Sequence, residues 1–187
     1  MFRYQFVVIC HVMAIWKTIV GVMLGLMLVG IVAEAANNTQ MIKGSNFSFT
    51  LPDHSWQAPD RIDPQVSVDL VNNKLQSRIK FAVRNYESPL SVFNKDIIAL
   101  IIDPGIIAPD TASLISNQLL VINGNKYYRV DIIIHKENNS DIEILDWMTV
   151  KNKRGYQFCC GGPKDNNSRT IPLDKVCGDI AATLMVK

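Results

Sequence analysis

The chain has 187 residues and a mass of 21.0 kDa, a length that fits one folded domain and leaves no room for a two-domain enzyme. Nineteen Lys and Arg against 17 Asp and Glu give a formal charge of +2, too balanced for a nucleic-acid binder that relies on a broad basic surface. The mean hydropathy is +0.12 with only 19% charged residues, so apolar residues must be concentrated somewhere, and they are at the N-terminus.

Between Tyr4 and Ala33 the only formal charge is Lys17, and Thr18 to Val32 is an uninterrupted apolar run. Ala33-Glu34-Ala35-Ala36 follows with the small-x-small pattern that a signal peptidase reads. Arg3 and Lys17 precede the run and no Lys or Arg follows until Lys43, which favours a cytoplasmic N-terminus and a translocated remainder. Residues 1–36 therefore read as a signal peptide cleaved near Ala35 or Ala36, with an uncleaved anchor as the alternative and Met1 or Met13 as the start. Cleavage implies a periplasmic or secreted protein. Retention implies an inner-membrane anchor with the domain outside the cytoplasm. The remainder is nearly neutral.

Residues 37–45 are polar and read as a tether. Asn46 to Leu51 alternates strictly, with Phe47, Phe49 and Leu51 on one face of a strand. Val66 to Val71 and Leu75 to Tyr86 read as the next strands, the second with Ile79, Phe81 and Val83 inward and Arg78, Lys80, Ala82 and Arg84 outward. Ser88-Pro89 is a helix start, with Ser as cap and Pro at the first helical position. Leu90, Phe93, Ile97, Ile98 and Ile101 continue at helical spacing until Asp103-Pro104-Gly105. Residues 104–111 form a Pro- and Ile-rich loop. Leu114 to Ile122 and Lys126 to His135 form a hairpin whose Asn123-Gly124 suits a type I′ turn. Asp141 to Lys151 and Tyr156 to Cys160 complete a meander. A helix over 170–181 and a short strand over 183–186 end the chain. The order predicts an α+β fold, an antiparallel β-sheet meander with helices packed on it, as a single domain over 46–187.

Cys10 lies in the leader, and Cys159, Cys160 and Cys177 remain. In an oxidising compartment two of these pair and one is left over. Cys160 shares a strand face with Phe158, and Cys177 lies with Leu173, Val176 and Ile180 on an apolar helix face. The expected bridge is Cys160–Cys177, closing a loop of about 17 residues and contributing about 3 kcal/mol. Cys159–Cys177 is the alternative.

Three landmarks carry a resemblance. They are Phe47-Ser48-Phe49-Thr50-Leu51-Pro52 followed by Trp56, Gly124-Asn125-Lys126-Tyr127-Tyr128 at the start of the central meander, and the helix-then-strand ending from Ile180 to Val186. Together they resemble the PsbP-like superfold, which includes the photosystem extrinsic protein PsbP, Mog-type and DcrB-type proteins. The resemblance spans nearly all of residues 46–187 and implies that group's α/β sandwich. Its members share a fold and not an activity, so it tilts the reading toward binding and carries over no functional residue.

Tests for chemistry are mostly negative. Two His outside the leader, no His-x-x-x-His and no Cys-x-x-Cys argue against a structural zinc. No Gly-x-Ser-x-Gly, phosphate loop or dinucleotide fingerprint is present. No cofactor, metal or catalytic residue is expected, and the protein is read as not an enzyme. His135 reads as a solvated histidine at a strand end. Two surfaces stand out for partner binding. Pro104, Gly105, Ile106, Ile107 and Pro109 place two adjacent isoleucines between prolines, a rigid apolar display. Arg78, Lys80 and Arg84 form a weaker basic row that Arg129 could join, against which Asp69, Asp131 and Glu143 offer ordinary cross-strand pairs.

The resulting expectation is an exported, non-catalytic accessory or assembly factor of the bacterial envelope or secreted fraction. It would dock another envelope or secreted protein through a sheet edge or the Pro104–Pro109 loop, with no nucleic acid and with membrane contact only through an uncleaved N-terminal segment. A small-ligand or lipid-binding module is the alternative. A secreted enzyme is the third reading, which a cleft holding His54 or His135 beside a carboxylate or Cys159 would revive.

Overall fold

The computed structural model describes residues 30–32, 39–59, 66–108, 110–138, 140–164 and 171–187. Among the described residues, ten strands form two antiparallel sheets, and three helices accompany them. The strands are β1 Gly30–Val32, β2 Gln40–Lys43, β3 Phe47–Leu51, β4 Val68–Asn72, β5 Ser77–Asn85, β6 Thr111–Ile122, β7 Asn125–His135, β8 Ile142–Lys151, β9 Arg154–Pro163 and β10 Met185–Val186. The helices are α1 Leu90–Ile101, α2 Pro104–Ile107 and α3 Leu173–Ala181. A small sheet has the order β1-β2-β3-β10, and a large one the order β4-β5-β9-β8-β7-β6. The expected leader 1–36 lies outside the described residues except for Gly30–Val32, which pairs with β2 beyond the expected domain bounds, so cleavage near Ala35 or Ala36 would remove this edge strand.

The large sheet is packed on both faces. One face presents Ile79, Phe81, Leu145, Trp147, Tyr156, Phe158 and Cys160 to the small sheet and α3. Phe47 and Phe81 approach to 4.3 Å between ring centroids, and Trp147 meets Phe158 edge-on at 5.7 Å. The other face presents Val130, Ile132, Ile134, Ile144, Met148 and Cys159 to Phe93, Ile97 and Ile101 of α1. The result is the α+β sandwich expected from the element order.

Several expectations need correction. The segment 37–45 is not only a tether, because Gln40–Lys43 pairs with β3 in the register Ile42↔Phe49 and buries Ile42. Four residues suffice because their alternation puts Ile42 into the core and Lys43 into water. Helix α1 begins one residue later than its sequence signal, with Pro89 itself in the cap position and no side-chain cap bond. Strand β9 starts at Arg154, two residues earlier than expected. Asn152 and Lys153 both adopt positive φ, 52° and 58°, so they close a two-residue turn by themselves. Asn123 and Gly124, at 49° and 77°, do the same in the β6–β7 hairpin.

Candidate functional site

Strand β6 is twelve residues long and carries no charged residue and no proline. It lies at the end of the large sheet, paired to β7 on one side and to no described strand on the other. Leu114, Ile115, Leu119 and Val121 are 45%, 57%, 53% and 69% exposed. The opposite edge is different. There Val71 of β4 exchanges backbone hydrogen bonds with Gln57 at 2.9 and 2.8 Å, so an incoming strand finds that position taken. Natural edge strands are usually short, charged, proline-bearing or covered, because open N–H and C=O groups recruit other strands. Apart from a register shift between Leu114 and Ser116, β6 has none of these guards among the described residues.

Polar side chains fix β6 in its place on the sheet. Ser116 Oγ donates to Asp131 Oδ2 at 2.8 Å, and Asn94 Nδ2 of α1 donates to Asn117 Oδ1 at 3.2 Å. At the start of the strand Ser113 Oγ lies 2.9 Å from His135 Nε2, and His135 Nδ1 lies 3.0 Å from Asp141 Oδ2. His135 is therefore half-exposed and held between a hydroxyl and a carboxylate, rather than simply solvated. A nucleophile, a base and an orienting acid stand in the order that acyl transfer uses. No local motif announces the trio, because its members come from β6, β7 and the turn before β8. The sequence reading missed Ser113 and Asp141: the predicted hairpin begins at Leu114, and only the register shift between Leu114 and Ser116 brings Ser113 onto the face of His135.

The sites singled out from the sequence fall elsewhere. Pro104 to Ile107 is not an open loop but a four-residue helix, capped by Asp103, whose side chain accepts from Gly105 N at 2.8 Å. The coil buries Ile107 and half-buries Ile106 against α1 and β6, so the rigid apolar display does not form. Pro104 and Gly105 remain exposed, and Pro109 lies outside the described residues. The basic row is not an open strip either. Arg78 is clasped by Asp69 through two bonds of 2.7 and 2.6 Å, Lys80 is buried, and Arg84 donates to Gln157 and lies over the Phe93 ring. The cause is α1 and its neighbours covering the face that the alternation assigns to solvent. Arg129 projects from the opposite face, over Trp147 and paired with Asp131. Cys160 bridges Cys177 and ties β9 to α3, and Cys159, buried on the other face, takes no part.

One further group is out of the ordinary. Asp146 on β8 is fully buried, accepts from Gln157 Nε2 at 2.6 Å, and has no hydrogen bond to Oδ1 among the described residues. Burial pushes its carboxyl up to about 7, against the pull of the Gln157 hydrogen bond and the Arg84 charge. Among the described residues no group of His, Cys, Asp and Glu is arranged to hold a metal, and no helix is long and apolar enough to cross a membrane.

No family model and no curated protein matches the chain. Solved structures do. The solution structure of cyanobacterial PsbP, CyanoP, from Synechocystis sp. PCC 6803 aligns over 88% of this chain and 95% of its own, with a TM-score of 0.55 and 10% identity. The fold is PsbP-like. A crystal structure from Bacteroides thetaiotaomicron aligns over 75% of this chain with a TM-score of 0.51 and 14% identity. The chain spans 45% of that protein. At such identities the likeness concerns the PsbP-like architecture alone, and the open edge of β6 is argued from this chain's own residues.

Proposed function

We propose that this is an exported accessory protein that works by adding an extended segment of a protein partner to the free edge of β6. The observation that carries the reading is the edge itself: twelve uncharged residues with Leu114, Ile115, Leu119 and Val121 exposed on a strand that lacks a described outer neighbour. In strand addition the backbone supplies the affinity and alternate side chains supply the selectivity. Such binding needs no reacting group or cofactor. Export is supported by the leader pattern of residues 1–36 and by the Cys160–Cys177 bridge, which persists in oxidising compartments. The test is a photo-crosslinking residue at position 119, with position 185 on the small sheet as control, in cells that export the protein. Adducts specific to position 119 are expected. Equal adducts at both positions, or none, would overturn the reading.

The Ser113–His135–Asp141 relay favours a second reading, a secreted serine hydrolase. In it His135 takes the Ser113 proton as Oγ bonds to an acyl carbon, then returns it to the leaving group; water completes the cycle. Its test is labelling by a fluorophosphonate. Modification of Ser113 that disappears in His135→Ala supports it, and an unreactive Ser113 removes it.

A further inference from the structure

We infer that the strand added to β6 is β6 of a second copy of this chain, in an antiparallel pair about a two-fold axis at Leu119. The inference rests on the reading of β6 as a strand-addition edge and names what occupies it.

The register follows from where β6 is regular. The shift between Leu114 and Ser116 interrupts the first part of the strand, whereas Ser116 to Ile122 pairs residue by residue with β7. Centring a second copy on Leu119 uses all of that regular segment. Leu119 then meets Leu119, Gln118 meets Leu120, Asn117 meets Val121 and Ser116 meets Ile122. In an antiparallel ladder opposed residues share a face, so the exposed Leu119 side chains meet each other and cover one another from water.

Charge permits this occupant. Thr111–Ile122 contains no Lys, Arg, Asp or Glu, so two copies meet without the like-charge opposition that guards edge strands. An uncharged strand also offers a foreign partner nothing to distinguish it electrostatically from the chain's own strand. Area sets the strength. The exposed parts of Leu119 and Val121 and the polar rim of two short strands amount to on the order of 1,000 Å², the low end for a specific interface, so the dimer is reversible and depends on concentration. Symmetry closes the assembly. A two-fold pair consumes both β6 edges, and Gln57 occupies the far edge of each large sheet, so a dimer forms rather than a filament.

The experiment is sedimentation velocity of the protein recovered from the exported fraction, over a wide concentration series. A monomer–dimer equilibrium is expected. Leu119→Lys places two like charges on the axis and is expected to weaken the dimer by about tenfold or more. Met185→Lys, at a residue exposed to a similar degree on the small sheet, is expected to leave it unchanged. An equimolar mixture of Leu119→Lys and Leu119→Glu is expected to recover dimer, because only a two-fold contact brings position 119 against itself. Leu119 is half-exposed, so neither variant threatens the fold, and unchanged thermal unfolding checks this. A monomer at every concentration, or a dimer indifferent to Leu119→Lys, overturns the inference. A monomer whose position 119 still crosslinks to a different exported protein would sink self-pairing and leave the strand-addition reading standing. A monomer without such crosslinks would sink both.

Discussion

Gln157 Nε2 donates to Asp146 Oδ2 at 2.6 Å inside the large sheet, while Oδ1 of this fully buried carboxyl group has no hydrogen bond among the described residues. The folded state holds the Asp146 proton up to about pH 7, whereas an ordinary aspartate releases it near 3.8. Between those values the folded protein binds a proton that the unfolded chain has lost. The Asp146 contribution is thus fully present below about pH 4, declines as pH rises, and levels off above about pH 7. Asp146→Asn should flatten this slope and be more stable than the parent at pH 8. Urea unfolding at pH 5 and pH 8 reads both effects, and equal slopes in the two proteins would refute the assignment.

Gly155 lies beneath the Phe93 ring. A Cβ built there would come within 2.7 Å of the ring edge, so β9 has no room for a side chain where α1 crosses it. Gly155→Ala should cost about 1–3 kcal/mol through overpacking. Pairing it with Phe93→Leu should return part of that loss. A double-mutant cycle by chemical denaturation measures the coupling.

Cys160 and Cys177 join a central strand to the last helix across 17 positions of sequence. Cys177→Ser should lower stability by about 3 kcal/mol. Cys159→Ser should leave the bridge in place. Non-reducing peptide mapping with denaturation curves separates the two.

Two turns invite opposite substitutions. Lys153 sits at φ 58°, where a side chain is strained, and Gly124 sits at φ 77°. Lys153→Gly should be neutral or stabilising by up to about 1 kcal/mol, and Gly124→Ala should cost about that much. Thermal unfolding of both variants gives the signs.

What the sequence reveals divides along physical lines. Strict alternation at Phe47, Phe49 and Leu51, and turn residues such as Asn123-Gly124, identify strands and hairpins because they act locally. The covering of Lys80 and Ala82 depends on how α1 and its neighbours fold back over the sheet, and it is invisible to the same alternation, which assigns them to solvent. Ile107 misleads for a related reason: an apolar pair between prolines reads as a display until a single helical turn rolls one member inward. The edge role of β6 was legible only as the possibility of a sheet edge. Its bareness depends on where the sheet stops, and that is set by tertiary packing.

Strand β10 pairs with β3, Val186 opposite Phe47, and Lys187 N donates to Asn46 O at 2.9 Å. Phe47 of the core thus waits for Val186 to be delivered. A chain emerging N-terminus first can zip β6 to β9 as they arrive, since each neighbours the next. The small sheet must stay ajar until β10 has arrived. During that interval its unfinished apolar surface is open to chaperones and proteases, and a truncation that removed Met185 and Val186 would make the interval permanent.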